Sequence, residues 1–292
     1  MNNKKDKFLL IDGNFLLFQS FYASYSRYGS SMQDSQGRST NGVHVFFMTL
    51  HKILNYIQPQ YLFIAFDAHG KTKRHLLYED YKAGRSKAPE SIHEQFDYVK
   101  QILTGFNIKW FEQVGDEADD LIATLSQIEN VEKYIFSKDQ DLLQLVNEST
   151  SVIYKSSDNE FDLYTTSNFE QIHKIKPYQI PDLKGLAGDS SDNIKGVAGI
   201  GKIGAIKLIN KYGSIENIYQ NIHEIKGATK SKLELGVNDA KFAKSLTILN
   251  KNVEMNTDLP FYSVTTINVD EGINVLESFD LNYVITKWKE FM

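Results

Sequence analysis

Short, uninterrupted apolar runs recur in the first half of the chain, and longer stretches with helical spacing separate them. Uninterrupted apolar runs are typical of parallel strands that are buried on both faces. Strands are predicted at residues 8–11, 61–66, 108–111 and 134–136, and helices at 43–57, 92–103 and 118–128. This alternation predicts an α/β fold with a central, mostly parallel sheet and helices on both faces.

The pattern changes near residue 178, where glycine-rich turns begin to separate short amphipathic segments such as 205–212 and 240–249. We therefore predict two parts, an α/β core at 1–177 and a smaller helical region at 178–292. A long basic connection at about 74–91 follows the second strand. Connections of this length in a compact domain are usually functional or disordered.

Composition narrows the classes of protein. With 292 residues, 41% of them hydrophobic, the chain can bury a substantial core. It has no cysteine, which excludes disulfides and thiolate zinc sites. No apolar run is long enough to span a bilayer, so we expect a cytoplasmic protein with no membrane partner.

The formal net charge of -5 argues at first against a nucleic-acid partner, because Lys and Arg supply most of the affinity for phosphates. The positions of the charges matter more than their sum. Acids gathered at one metal site would be offset by bound cations, which leaves basic patches elsewhere free to meet phosphates.

Acidic residues follow the predicted strands at the point where each strand ends. Asp12 follows the first strand and Asp67 the second. Parallel strands present their carboxyl ends at one edge of the sheet, where ligands bind in open α/β folds, so these side chains should converge. The full set includes two acids from the motif GDSSDN and consists of Asp12, Asp67, Glu117, Asp119, Asp120, Asp139, Asp141, Asp189 and Asp192.

Carboxylates this close together need a counter-charge, because neighbouring negative charges raise one another's pKa. Oxygen-only ligands without His or Cys favour Mg²⁺ or Mn²⁺ over zinc. Taken singly, Asp120 or Asp141 is explained equally well as a helix N-cap, a position where Asp is favoured. Acids at the ends of four successive strands are harder to attribute to capping, and the set predicts a divalent-metal site.

Two further segments suggest contacts with nucleic acid. The turn at 196–201 precedes a predicted helix, and its backbone N–H groups suit a phosphate, although a plain connecting turn explains it as well. Lys202, Lys207 and Lys211 favour the phosphate. The basic connection mixes cations with aromatics, a pattern that suits single-stranded nucleic acid but also a solvated loop, at Arg74, Tyr78, Tyr81, Lys82 and Arg85.

Six motifs occur in order between residues 8 and 262: LLIDGN, FDAHGKTKRHLLYEDYKAGR, GDEADDLIATL, SKDQDLLQL, GLAGDSSDNIKGVAGIG and MNTDLPF. Together they resemble the bacterial 5′→3′ nuclease family, which comprises the N-terminal domain of DNA polymerase I and stand-alone flap endonucleases. Since no polymerase region follows, the chain resembles a stand-alone nuclease.

The resemblance implies a PIN-like nuclease core with a two-metal active site, a helical arch at about 70–91 and a helix-three-turn-helix within 178–292. The nine acids would hold two or more Mg²⁺ or Mn²⁺ ions, and a K⁺ ion would bind at the helix-three-turn-helix. Lys82 and Arg85 would act in catalysis. The DNA contacts implied by the family motifs are Phe18, Arg74, Tyr81, Gly199, Ile200, Gly201 and Lys202.

The chain departs from the family pattern without losing an acid. Lys202, Ile203 and Gly204 replace the acidic residue, Lys and Thr that usually follow the glycine turn, so the side chains of this turn differ from those that contact phosphate in the family. Gln19 replaces a frequent Arg, and Gln140 replaces a frequent Lys.

The predicted activity is hydrolysis of DNA phosphodiester bonds, as a 5′→3′ exonuclease and 5′-flap endonuclease in primer removal and repair. The expected substrate is duplex DNA with a 5′ flap or a single-stranded 5′ end, and the expected state is a monomer. The sequence identifies no protein partner, a DNA polymerase included.

Two alternatives belong to other classes. A haloacid-dehalogenase-type phosphatase needs a second Asp where Asn14 stands, and a wider spacing than that of Asp189 and Asp192. A DNA-structure-binding protein without catalysis would gain affinity by losing acids near phosphate, whereas this chain keeps all nine.

Overall fold

The structure is a computed structural model that describes residues 5–28, 32–85, 88–155 and 160–290. Its strands are β1 (Lys7–Asp12), β2 (Tyr61–Asp67), β3 (Trp110–Gln113), β4 (Glu132–Phe136), β5 (Thr150–Lys155) and β6 (Phe161–Tyr164). They form one six-stranded sheet in the order β3-β2-β1-β4-β5-β6. Only the β5–β6 pair is antiparallel among these neighbours, so the predicted α/β fold with a mostly parallel sheet is confirmed.

Helices surround this sheet and continue beyond it. In the described residues they are α1 (Gly13–Tyr28), α2 (Asn41–Ile57), α3 (Lys73–Leu77), α4 (Glu90–Gly105), α5 (Ala118–Leu125), α6 (Thr166–His173), α7 (Ile180–Ala187), α8 (Lys202–Tyr212), α9 (Ile215–Gln220), α10 (Gly227–Leu235), α11 (Val237–Thr247), α12 (Val269–Glu277) and α13 (Asn282–Lys289).

The four predicted strands exist, but the third begins two residues later than expected. Ile108 donates its N–H to the carbonyl of Leu103, at an N–O distance of 2.9 Å, and so closes the end of α4 instead of joining the sheet. Within the predicted core, the sequence analysis missed α1, α6, β5 and β6. It overlooked α1 because that helix starts directly after a strand, where the Asp12 carboxylate accepts the N–H of Phe15 and takes the place of a separate capping residue.

Two apolar clusters cover the two faces of the sheet, as alternating side chains of a strand require. On one face, Leu9 and Ile11 pack with α1, α2, α4, α12 and α13. On the other face, Phe8 and Leu10 pack with α5 and with the helical region that begins at α7. Both helical layers are therefore anchored on β1, the strand whose last residue is Asp12.

Within the described ranges, every helix is too short or too polar to cross a membrane.

Candidate active site

The carboxyl end of β1 begins the site. Asp12 is 6% exposed, and its two carboxylate oxygens accept hydrogen bonds from the Phe15 N–H at 2.8 Å and from the Ser137 hydroxyl at 2.7 Å. Ser137 follows β4 directly and also accepts the N–H of Asp139 at 3.0 Å. The Ser137 hydroxyl therefore links Asp12, at the end of β1, with Asp139, which follows β4.

Asp67, at the end of β2, is held from both sides. The Asn14 amide donates to Asp67 Oδ2 at 3.0 Å and accepts the Asp67 N–H at 2.9 Å. The N–H of Ala118, at the start of α5, donates to Asp67 Oδ1 at 2.8 Å. Because the N-terminal end of a helix carries a partial positive charge, this contact favours an ionised Asp67.

Glu117 lies at the N-cap of α5, among several donors from the connection between β2 and α4. Its Oε2 lies 3.1 Å from the Tyr81 hydroxyl and 3.2 Å from Lys82 Nζ, and its Oε1 accepts the Thr72 hydroxyl at 3.2 Å. The connection thus lies directly on the acidic site.

The loop between α7 and α8 brings two more acids. Asp189 and Ile194 exchange backbone hydrogen bonds of 2.8 Å, which closes the loop that carries Asp192. The loop needs glycine at its base, because a Cβ on Gly196 would lie 2.3 Å from the Gly188 nitrogen. The two glycines let the two ends of the loop lie against each other, and the loop places Asp189 at the cleft and Asp192 beside it.

One ligand atom from each of Asp141, Asp189 and Asp192 can be chosen so that all lie within 4.8 Å of one another. We call these three residues the acidic triad. Lys184, on α7, lies among them, with Nζ 2.6 Å from Asp141 Oδ1 and 2.6 Å from Asp189 Oδ2. Arg85 forms an ion pair with Asp192.

The remaining acids at the strand ends form a second group, Asp12, Asp67, Asp119 and Asp139, which we call the sheet-edge carboxylates. They line a cleft of about 1400 Å³ together with Glu117 and Asp189. Six predicted ligands therefore line one cleft, and the other two members of the triad, Asp141 and Asp192, lie next to Asp189.

Asp120 is the predicted ligand that the structure directs elsewhere. Its two oxygens form a fork with Arg74, at 2.7 and 2.8 Å, and Oδ1 also accepts the N–H of Asn250 at 2.8 Å. Arg74 in turn donates to the carbonyl of Leu246 at 2.9 Å. In this structure the pair ties α5 to the segment after α11, and a bidentate Arg–carboxylate contact suits such a structural role.

Burial and like charges shift the pKa values of several acids upward. Burial is the main cause for Asp12 and Asp119, and the neighbouring carboxylates raise the pKa of each further. Burial raises the pKa of Asp141 to about 7, although Lys184 lowers it. Burial acts on Asp189 as well, but Lys184 and two hydrogen bonds from Ser191 together outweigh it, and the pKa of Asp189 ends below its ordinary value. A bound cation would favour the ionised form of all four.

The predicted arch is compact in its described part. It contains the short helix α3 and turns up to Arg85, whereas Ser86 and Lys87 lie outside the described residues. Tyr81 is only 4% exposed, because its hydroxyl contacts Glu117 and Asp192. In this conformation its ring is closed off from a DNA base.

Most of the other predicted DNA contacts border the cleft, whereas Arg74 lies outside its lining and pairs with Asp120. Phe18 lines it from α1 and packs edge-on against Phe96 at a centroid distance of 5.7 Å. The turn of Gly199, Ile200 and Gly201 lines it from the other side, with Lys202 at the start of α8.

Two family models match consecutive parts of the chain. The 5'-3' exonuclease N-terminal resolvase-like domain matches residues 7–174, and the 5'-3' exonuclease C-terminal SAM fold matches residues 175–270. The chain belongs to the 5'-3' exonuclease family. It is 39% identical to a 5'-3' exonuclease of Mycoplasmopsis pulmonis, over 99% of this chain and 95% of that protein. The exact division at residues 177 and 178 stays a prediction.

Family members also occur as part of longer proteins. DNA polymerase I of Bacillus subtilis is 32% identical over 98% of this chain, which covers 33% of the polymerase. Two solved structures share the fold. T5 5'-exonuclease with bound zinc ions has a TM-score of 0.65 at 20% identity, covering 97% of this chain and 99% of that one. The catalytic core of Rad2 with DNA substrate has a TM-score of 0.63 at 16% identity, covering 97% and 92%.

Family membership makes this chain a nuclease and removes the phosphatase alternative. The structure agrees chemically, since Asn14 hydrogen-bonds Asp67 where the phosphatase would need an acid. The roles of the individual site residues stay predictions.

Three polar residues in the site were missed by sequence reasoning: Asn14, Ser137 and Lys184. Asn14 and Ser137 lie within the motifs LLIDGN and SKDQDLLQL, so attention to the neutral residues beside each acid could have found them. Lys184 had no such signal, because a single Lys on a helix is usually a solvated side chain.

Proposed function

We propose that this chain hydrolyses DNA phosphodiester bonds as a 5′→3′ exonuclease and 5′-flap endonuclease that uses two divalent cations. The observation that carries the proposal is the meeting of six carboxylates with Lys82 and Arg85 in one cleft. Carboxylates alone would repel DNA, so their number favours catalysis over binding without cleavage. The Rad2 core, which shares the fold, has been solved with a DNA substrate.

Mg²⁺ or Mn²⁺ fits the donor set because all the donors are oxygens and several are buried carboxylates that lack a full counter-charge. The sheet-edge carboxylates would hold one ion and the acidic triad the other. When bound, such a pair of ions activates an attacking water and stabilises the leaving 3′ oxygen, in an in-line displacement that leaves a 5′-phosphate.

Lys82 and Arg85 would stabilise the charge that develops on the phosphate. The Lys82 backbone has a positive φ of 58°, and its N–H donates to the Asp192 carbonyl at 2.9 Å, which directs the side chain toward Glu117. The Arg85 side chain is 50% exposed, so it can reach a phosphate while its partner Asp192 stays in place.

The remaining contacts would position the DNA. Phe18 would stack on a base at the cleft wall. Backbone N–H groups of the turn at Gly199 and Gly201, with Lys202 and Lys207 beside them, would bind phosphates of the duplex. The proposed K⁺ ion must share this turn with Lys232, whose ammonium donates to the Gly199 carbonyl at 3.1 Å.

Cleavage of an end-labelled 5′-flap duplex tests the activity. We expect cleavage with Mg²⁺ or Mn²⁺, none with EDTA, and products with a 5′-phosphate and a 3′-hydroxyl. Mapping the cut sites on the flap, and on a duplex with a recessed 5′ end, separates the endonuclease from the exonuclease. DNA binding without cleavage at saturating metal would favour the non-catalytic alternative.

The proposed role in primer removal and repair rests on the similarity to the corresponding third of DNA polymerase I. A flap duplex whose 5′ strand is RNA tests it, and we expect that strand to be removed as well. A monomer is proposed, and light scattering of the pure protein checks it.

A further inference from the structure

Lys184 lies within the acidic triad, where a metal ligand set is proposed. Its side chain is 10% exposed, and its ammonium lies 2.6 Å from an oxygen of Asp141 and 2.6 Å from an oxygen of Asp189. Oxygens of these two acids and of Asp192 lie within 4.8 Å of one another. The ammonium and a divalent cation would therefore compete for the same carboxylates.

The contact between Lys184 and Asp141 is an ion pair of poor alignment. Asp141 Oδ1 is buried and accepts no well-aligned hydrogen bond in the described structure, although the ammonium is close to it. A buried carboxylate oxygen without a hydrogen bond is costly, so this atom favours any better-placed cation. The geometry thus allows the ammonium to be replaced.

We propose that Lys184 is the resident cation of the acidic triad, and that a divalent ion binds there only when the ammonium moves away. Lys184 neutralises part of the triad in the metal-free protein and thereby lowers its affinity for metal. The inference rests on the proposed two-metal function, and it adds that the two metal sites differ in affinity because of one lysine.

The physical reason is the strength of charge interactions at short range. A single charge a few ångströms from a site that is shielded from water can change the affinity of that site by more than about tenfold, even at an effective dielectric constant of about 20. In the described part of the chain no lysine forms a direct ion pair with the sheet-edge carboxylates, and Lys82, whose charge acts on Asp67 and Asp119 from a greater distance, pairs with Glu117. The sheet-edge carboxylates should therefore bind the first divalent ion and the triad the second.

The chain offers a matched control in Lys244. Its ammonium also bridges two acids, Asp182 at 2.7 Å and Glu216 at 2.9 Å, and it lies outside the cleft lining. Replacing Lys244 removes one bridging ammonium without changing the charge at the triad.

Mn²⁺ titration of the DNA-free protein at constant pH tests the proposal, by calorimetry and by electron paramagnetic resonance of free Mn²⁺. We expect wild type to show a tight site and a weak site. Lys184→Met should tighten the weak site at least about tenfold. Lys184→Arg, which keeps the charge, and Lys244→Met should leave it close to wild type.

Equal or weaker Mn²⁺ binding by folded Lys184→Met would overturn the proposal. If that variant does not fold, reductive methylation of wild type followed by mass spectrometry decides the matter. Lys184 should be protected from methylation in EDTA and become reactive when Mn²⁺ saturates both sites. Unchanged protection would show that the Lys184 ammonium stays in the acidic triad when metal binds. Flap cleavage by wild type is measured separately. If Lys184→Met binds Mn²⁺ more tightly but wild type does not cleave the flap, the proposed function is wrong and this inference stands.

Discussion

The two acidic groups of the cleft solve the same electrostatic problem in different ways. The sheet-edge carboxylates are held by neutral donors, such as the Ser137 hydroxyl at Asp12 and the Asn14 amide at Asp67. The acidic triad carries its own cations, Lys184 and Arg85. Neutral donors orient a carboxylate without balancing its charge, so we expect the sheet edge to depend more strongly on a bound ion than the triad does.

The strongest test of this comparison removes one carboxylate from the sheet edge. Asp67→Asn should lower the single-turnover cleavage rate by about a thousandfold or more, because it weakens a metal site that supplies several kcal/mol to the transition state. The control is Asp116→Asn, since Asp116 is also buried and acidic but binds Lys73 outside the cleft. Near-normal cleavage by Asp67→Asn would remove the sheet-edge metal site.

A second test asks whether Lys82 contributes to the chemical step of cleavage or only attracts DNA. Lys82→Ala should slow single-turnover cleavage by about a hundredfold with little change in DNA affinity, because a preorganised charge at the reacting phosphate is worth roughly 3 kcal/mol. Lys71→Ala, an exposed change in the same connection, should alter both quantities only slightly. If Lys82→Ala weakens affinity while bound DNA is cut at the normal rate, Lys82 only attracts DNA.

The third wall of the cleft is the glycine turn, where we propose that backbone N–H groups bind a phosphate of the DNA. Gly199 has a φ of +77°, and a Cβ there would lie 2.9 Å from the Lys232 side chain. Gly199→Val should weaken duplex affinity roughly fivefold to tenfold and flatten its salt dependence, because a phosphate contact is lost. Gly204→Ala, where a Cβ meets nothing closer than 3.9 Å, is the control. Unchanged affinity and salt slope in folded Gly199→Val would make the turn a plain connection.

The smallest expected effect is a pH dependence of stability. The pKa of Asp141 rises from 3.8 to about 7 on folding, so the metal-free folded protein binds this proton more tightly than the unfolded chain does. Its contribution to the free energy of unfolding is therefore full below pH 3.8 and falls as the pH rises through about 7.

Saturating Mn²⁺ should reverse this loss, because the ion favours the ionised carboxylates. We expect Mn²⁺ to raise the melting temperature by at least about 3 °C more at about pH 8 than at about pH 6. Differential scanning calorimetry with and without EDTA checks it. An equal gain at both pH values would contradict the upward shift in pKa.

The sheet and the location of most of the acids follow from local patterns in the amino-acid sequence. Buried parallel strands need continuous apolar runs, and their carboxyl ends share one edge, so the sequence alone is enough to place Asp12, Asp67 and Asp139 together. Local patterns carry this information because the pleat and the helical turn repeat over a few residues.

The partner that each acid takes depends instead on tertiary packing. Asp120 lies beside Asp119 in sequence, yet it binds Arg74 and the backbone near Asn250 instead of the cleft. Lys184 carries no signal in the sequence and lies between two acids in the fold. Such choices depend on how elements far apart in the chain pack together, since a charge contact extends only a few ångströms and burial decides its strength.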